Sequence, residues 1–235
     1  FRVSLTKFIA FGDSITAGED GNTLTLTGPS IVPLPTIIVA TPYPQALASQ
    51  LAARYVSQAA AIAVQNQGKP GEYAGDPDTL IRFTNVLNAA SGFQVVLLLE
   101  GANDLNLKSG PKTQAALDNL RTMIQIAKGR GLRPYLATLP PQNLAGKRGS
   151  AAPFVPDFNA DLKALAASEG VTVVDLYTAF GSATTGLIAE DGLHPTQAGY
   201  IKMAETFFET IKSTLETNAG RITLGPADPG LLPLR

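Results

Sequence analysis

The chain has 235 residues, a net charge of −1, 45% hydrophobic residues and only 16% charged ones. That balance suits a folded chain of about one domain and not a disordered one, and the 18 Lys and Arg are scattered in a way that argues against binding nucleic acid by phosphate neutralisation. With no Cys and a single His, His194, it excludes disulfides, thiolate nucleophiles, iron–sulfur clusters, zinc knuckles and any site built on two or more His.

Short apolar runs alternate with helical patterns along the chain. Phe8-Ile9-Ala10-Phe11 stops at Gly12-Asp13-Ser14, and Ala61-Ile62-Ala63-Val64 stops at Gln65-Asn66-Gln67-Gly68. Val95-Val96-Leu97-Leu98-Leu99 stops at Glu100-Gly101, the run 134–139 at Pro140-Pro141, and Val171-Thr172-Val173-Val174 at Asp175. Continuous runs of this length, bounded by breakers, are expected of strands buried on both faces of a parallel sheet. Between them, residues 43–55, 76–89, 112–128, 157–168 and 196–215 carry apolar residues at helical spacing. Gly129 and Gly170 are placed to stop two of the helices, and Pro195 to start the last. Right-handed strand–helix–strand crossovers then give an α/β fold with a doubly wound, mostly parallel five-stranded sheet between helix layers. In such a fold the ligand lies beyond the carboxyl ends of the strands.

Two stretches break the alternation. Residues 19–42 form an insert between the first strand and its helix, with two β-prone arms, 23–27 and 36–39, around a Gly- and Pro-rich turn. Because it leaves the sheet directly after Ser14, it is expected to start at the rim of the site. The tail, 216–235, is rich in Gly and Pro. The expectation is one domain over 1–235. No apolar run approaches the ~20 residues of a membrane helix. The chain opens at Phe1 with no leader-like segment, and its Cys-free, Lys- and Glu-poor composition favours an exported protein, secreted or periplasmic, with a cytoplasmic one as the alternative.

The residues that end the strands make up a parts list for acyl transfer. Ser14 supplies a hydroxyl, which is a weak nucleophile until a base takes its proton. His194 supplies the imidazole suited to that task. Asp191, three residues earlier in a loop bracketed by Gly192 and Pro195, supplies the carboxylate that orients the imidazole. The Ser14 N–H, the Gly71 N–H and the Asn103 carboxamide are candidate donors to a developing oxyanion. Asp13 is expected to anchor its loop and Asp104 to cap or support, while Glu100, at the end of a buried strand, must be paired or wet.

Four segments in this order resemble the motif blocks of the GDSL, or SGNH, hydrolases: Phe11-Gly12-Asp13-Ser14-Ile15-Thr16-Ala17-Gly18, Asn66-Gln67-Gly68-Lys69-Pro70-Gly71, Gly101-Ala102-Asn103-Asp104 and Asp191-Gly192-Leu193-His194-Pro195. The resemblance implies a flavodoxin-like three-layer αβα sandwich and ester hydrolysis without a cofactor or metal. It carries the nucleophile to Ser14, the base and its partner to His194 and Asp191, and the oxyanion donors to Ser14, Gly71 and Asn103, with Gly68 the weaker choice for the glycine. The long insert after Gly18, and Glu72-Tyr73 where the family has a small residue or Thr, depart from the pattern near the expected substrate pocket.

The expected activity is therefore that of a carboxylesterase or acetylesterase acting on a small-molecule or carbohydrate ester. Acyl transfer to an alcohol or sugar, lysophospholipase or lipase activity, and a non-catalytic carbohydrate-binding role are the alternatives on the same scaffold. A dinuclear phosphoesterase would need more than one His. A nucleotide enzyme would need GxxxxGK[ST] or GxGxxG, and an α/β-hydrolase a G-x-S-x-G elbow; none is present. Oligomeric state is not legible in the chain.

Overall fold

The computed structural model describes residues 1–22, 37–106, 113–181 and 184–218. The insert arm 23–27, the first residue of the arm 36–39, and the tail from 219 onward lie outside them.

Five parallel strands form the central sheet: β2 (Lys7–Gly12), β3 (Ala63–Gly68), β4 (Val95–Leu99), β5 (Arg133–Ala137) and β6 (Thr172–Val174), in the order β3-β2-β4-β5-β6. β2 and β4 sit inside the sheet and are the most apolar. All of β4 is buried, and so is β2 beyond Lys7. Helices α2 (Tyr43–Arg54) and α8 (Gln197–Leu215) pack together, and α3 (Pro77–Ala89), α5 (Thr113–Gly129) and α6 (Val155–Glu169) pack in a row. Right-handed crossovers put these two groups on opposite faces. Aromatic pairs lock the packing: Tyr43 of α2 stacks on Phe207 of α8 at 4.8 Å, and Phe11 of β2 meets Phe83 of α3 edge-on at 4.9 Å. This is the three-layer α/β sandwich expected. From β2 the chain turns to one side for β3 and then to the other for β4, which opens the crevice beyond their carboxyl ends.

Some expectations need correction. The second strand runs from Ala63 to Gly68, later than the apolar run that suggested it, and Val56–Ala61 is a 3-10 turn. As an edge strand β3 pairs with β2 alone, so Gln65 and Asn66 face solvent and the rule of continuous burial does not apply. β6 is likewise only partly buried. Helix α5 ends at Gly129, as expected, and the turn that follows closes at Gly131, whose φ of +74° allows its own N–H to bond Lys128 O at 2.9 Å and Leu132 N–H to bond Ala127 O at 3.0 Å. Helix α8 starts after Thr196, whose hydroxyl caps Gly199 N–H at 3.1 Å. Pro195 stands before the helix, bridged to Ile188.

The two ends of the described chain meet at the amino side of the sheet. β1 (Arg2–Val3) pairs antiparallel with β7 (Glu216–Thr217).

Candidate active site

β2 delivers Gly12, Asp13 and Ser14 to the crevice. Only glycine fits at position 12, because a Cβ there would stand 2.1 Å from Thr16 Oγ1 and 2.3 Å from the Leu99 carbonyl. Ser14 opens the four-residue helix α1 (Ser14–Ala17), and the cap is Asp13, whose Oδ1 accepts from Ile15 N–H at 2.8 Å. At the other end of the crevice, the loop before α8 turns at Gly192, where φ is +82°. Asp191 Oδ1 there accepts from the N–H groups of Leu193 (2.9 Å) and His194 (3.0 Å).

These two loops meet. The Ser14 Oγ to His194 Nε2 distance is 2.8 Å and the His194 Nδ1 to Asp191 Oδ2 distance is 2.6 Å. Ser14 is 1% exposed and His194 0%. Burial works to raise the Asp191 pKa, but the hydrogen bond from His194 and the backbone N–H donors outweigh it and hold the carboxyl below its ordinary value. An ionised Asp191 only accepts, so the Nδ1 proton points at it and the Nε2 lone pair faces the Ser14 hydroxyl. The arrangement can draw a proton from Ser14 and hold the resulting imidazolium.

The other sequence candidates follow the carboxyl ends of β3 and β4. Gly71 has φ of +77° with open space where a Cβ would go. Asn103, 8% exposed on the short helix α4 (Ala102–Leu105), donates through Nδ2 to the Glu72 carbonyl at 2.7 Å. That bond ties Asn103 to the loop carrying Gly71. Asp104 supports the same loop by accepting from Ala74 and Gly75 N–H, both at 2.8 Å. Burial raises the Asp104 pKa, against the pull of those donors. Gly68, the weaker candidate, lies under α1. A Cβ on it would be 2.0 Å from Ala17 N.

A buried charge cluster backs the site. Arg82 stands over the Phe11 ring at 3.8 Å, pairs with Glu72, and donates to the Gln67 and Gly12 carbonyls at 2.9 and 3.2 Å. Glu72 thus departs from the family pattern with its own cation supplied. Glu100 lies 3.8 Å from Arg82 Nη2 without a hydrogen-bond partner among the described residues. Its burial, with the charges of Asp13 and Glu72 beside it, pushes its pKa well up. Burial likewise lifts Asp13 to about 7, against the Ile15 N–H and the charge of His194.

Several residues at the site escaped the sequence reading. The segment Asn143 to Arg148 grips the His194 loop, with Asn143 N–H on Gly192 O at 2.8 Å and Arg148 N–H on Asp191 O at 2.7 Å. Glu19 reaches back over His194, its Oε2 3.6 Å from Nε2 and its Oε1 2.9 Å from Arg148 Nη1. The local signal of this grip lies in its glycines: a Cβ on Gly146 would stand 2.3 Å from the Asp191 backbone, and one on Gly192 2.3 Å from the Asn143 carbonyl.

A pocket of about 320 Å³ opens beside Asn103, lined by Tyr73, Asn103, Asn106, Lys147, Arg148, Ser150 and Leu193. A larger groove of about 880 Å³ between α2 and α8 contains none of these residues and stands apart from the Ser14–His194 pair. Among the described residues no His, Asp and Glu cluster is arranged to hold a metal, and no helix is long and apolar enough to cross a membrane.

The model of the GDSL-like lipase/acylhydrolase family matches residues 10–201, which takes in both ends of the crevice. Among solved structures, a lipase/acylhydrolase from Enterococcus faecalis is 23% identical with a TM-score of 0.68, over 92% of this chain and 100% of that one. An acetylxylan esterase from Geobacillus stearothermophilus is 20% identical with a TM-score of 0.68, over 90% and 96%. An aryl esterase from M. smegmatis is 19% identical with a TM-score of 0.67, over 89% and 100%. At these identities the likeness speaks for the fold. No curated protein sequence matches the chain.

Proposed function

The chain belongs to the GDSL-like lipase/acylhydrolase family and is a carboxylic ester hydrolase, and from that premise we propose that it cleaves short-chain esters of a polar alcohol through a Ser14–His194–Asp191 triad. The observation that carries the triad is the buried relay, 2.8 Å from Ser14 Oγ to His194 Nε2 and 2.6 Å from Nδ1 to Asp191 Oδ2.

In this reading His194 takes the Ser14 proton as Oγ attacks the ester carbonyl carbon. The oxyanion forms against the N–H groups of Ser14 and Gly71 and the Asn103 carboxamide, each such donor lowering the barrier by roughly 3–4 kcal/mol. Asn103 Nδ2 has one hydrogen on the Glu72 carbonyl and a second to give. The imidazolium then protonates the leaving alcohol, and water releases the acid. The substrate class rests on the pocket beside Asn103, where Leu193 is the one aliphatic side chain among two amides, the Ser150 hydroxyl, the Tyr73 phenol and two cations. Such a lining favours hydrogen-bonding groups over a long acyl chain. The acetylxylan and aryl esterases of the same fold are consistent with it.

The test is a series of p-nitrophenyl esters of rising chain length beside acetylated xylan. The acetate should give the highest kcat/KM, with a steep fall beyond butyrate; a maximum at octanoate or longer would overturn the substrate class. Ser14→Ala should lower hydrolysis by several orders of magnitude with the fold kept, and a variant retaining a tenth of the wild-type rate would remove Ser14 from its role.

A further inference from the structure

Hydrolysis has two halves, and the triad accounts for the proton in both but not for what places the water in the second. Glu19 stands where that task arises. Its backbone is fixed on three sides: N–H to Ser14 O at 2.9 Å, C=O accepting from Tyr200 OH at 2.8 Å, and a bridge to Ile38. Its carboxylate is fixed as well, Oε1 being held by Arg148 Nη1 at 2.9 Å, while Arg148 is itself tied to the His194 loop through Asp191 O at 2.7 Å. The other oxygen, Oε2, lies 3.6 Å from His194 Nε2. That is too long for a good hydrogen bond, and it is on the nitrogen that exchanges protons with Ser14, not on the one already satisfied by Asp191.

Resting on the serine esterase reading above, we propose that Glu19, tethered by Arg148, positions the water that hydrolyses the acyl-enzyme. The water gives one hydrogen bond to Nε2 and the other to Glu19 Oε2, which leaves its oxygen lone pair for the acyl carbon. As the new C–O bond forms, the first proton passes to Nε2. The tetrahedral intermediate then collapses, the bond from carbon to Ser14 Oγ breaks, the proton returns from Nε2 to Oγ, and the carboxylic acid departs. Glu19 neither gains nor loses a proton. In acylation the corresponding place is taken by the ester's alkoxy oxygen, which has no hydrogen to offer a carboxylate, so Glu19 acts selectively on deacylation.

Stopped-flow kinetics with p-nitrophenyl acetate separate the halves. In Glu19→Ala deacylation should fall about tenfold or more, the scale of lost orientation at a reacting group, while acylation and Ser14 labelling by a small fluorophosphonate stay within about threefold. Acyl-enzyme then accumulates and p-nitrophenol is released in a burst close to one equivalent. Glu19→Gln, which keeps an acceptor, should recover part of the deacylation rate. Arg148→Met leaves Glu19 present but untethered and also takes a cation from the pocket lining and from 4.0 Å of Asp191 Oδ2, so acylation falls too; deacylation should fall by the larger factor, and this ratio tests the idea if both position-19 variants fail to fold. Equal loss in both halves, or no loss in deacylation, overturns the inference. A wild-type protein that neither turns over esters nor takes the label would overturn the esterase reading itself.

Discussion

Ser14 and His194 lie 180 residues apart in the chain and 2.8 Å apart in space. Both were legible in the sequence because each sits in a tight turn whose companions, Gly12 and Asp13 or Asp191 and Gly192, have little other reason to occur together. Glu19 and Arg148 were not, because one acid in an insert and one base in a loop acquire a chemical role only when tertiary structure brings them together. Asp13 lies between these cases. Its cap to Ile15 is local, but its second oxygen is buried without a partner among the described residues, and burial lifts its pKa from 3.8 to about 7. The folded protein therefore keeps a proton that the unfolded chain releases near pH 4. The stability this contributes is complete below pH 4 and lost as pH rises to about 7, on the order of a few kcal/mol. Asp13→Asn keeps the cap and cannot ionise. Denaturant unfolding at pH 4.5 and 7.5 should show the wild type losing more stability between the two than the variant, and parallel losses would mean that Asp13 does not carry this proton.

Four-residue elements matter most at the site, and such elements have the least periodicity to read. Helix α1 exists because two glycines, Gly12 and Gly68, are register partners at the ends of β2 and β3, which lets its backbone lie on the strands. The Gly68 approach, 2.0 Å from a notional Cβ to Ala17 N, involves main chain on both sides and has no side chain that can swing away. Gly71 differs, since it needs its positive φ but has free space around it. Both are candidate oxyanion donors by sequence, and nothing in the chain distinguishes the one that packing demands from the one that backbone angle demands. Gly68→Ala should therefore cost about 1–3 kcal/mol, the usual range for overpacking, and slow fluorophosphonate labelling by displacing Ser14. A variant with wild-type melting and labelling would show that α1 tolerates the shift. The base of the insert belongs at this scale too. Asp20 N–H bonds Ile37 O at 2.7 Å and Val39 N–H bonds Gly18 O at 2.9 Å, which pins the two described ends of the insert to each other directly after α1.

Across the whole molecule, the chemistry and the closure of the fold stand at opposite ends of the same strands. The alternation of apolar runs and helical patterns made the parallel sheet legible, and a parallel sheet places its site at the carboxyl ends. Nothing in the sequence marked the amino side, where closure depends on segments more than 200 positions apart and only two residues long. There Val3, 2% exposed, sits in β1 against β7. Its N–H donates to Gln58 Oε1 at 2.9 Å and its carbonyl accepts from Gln58 Nε2 at 3.0 Å. Glu216 next to it takes Arg54 Nε and Nη2, both at 3.0 Å, and the Tyr55 hydroxyl at 2.9 Å. The Arg54 ion pair is exposed enough for solvent to weaken it, so the energetic weight of this clasp rests on the buried Val3 side chain. Val3→Ala removes two methyl groups from a site whose backbone stays hydrogen-bonded, at a cost of about 1–3 kcal/mol. For a chain of this length that lowers the melting midpoint by roughly 2–4 °C per kcal/mol. The Ser14–His194 relay, a strand length away, shares no partner with it, so kcat/KM for an acetate ester at 25 °C should stay within about twofold of wild type. In Val3→Ala/Gly68→Ala the two stability losses should add to within roughly 0.5 kcal/mol. A Val3→Ala enzyme that loses activity in step with stability, or a double variant far from additive, would mean that the clasp and the site are coupled through the sheet and not independent.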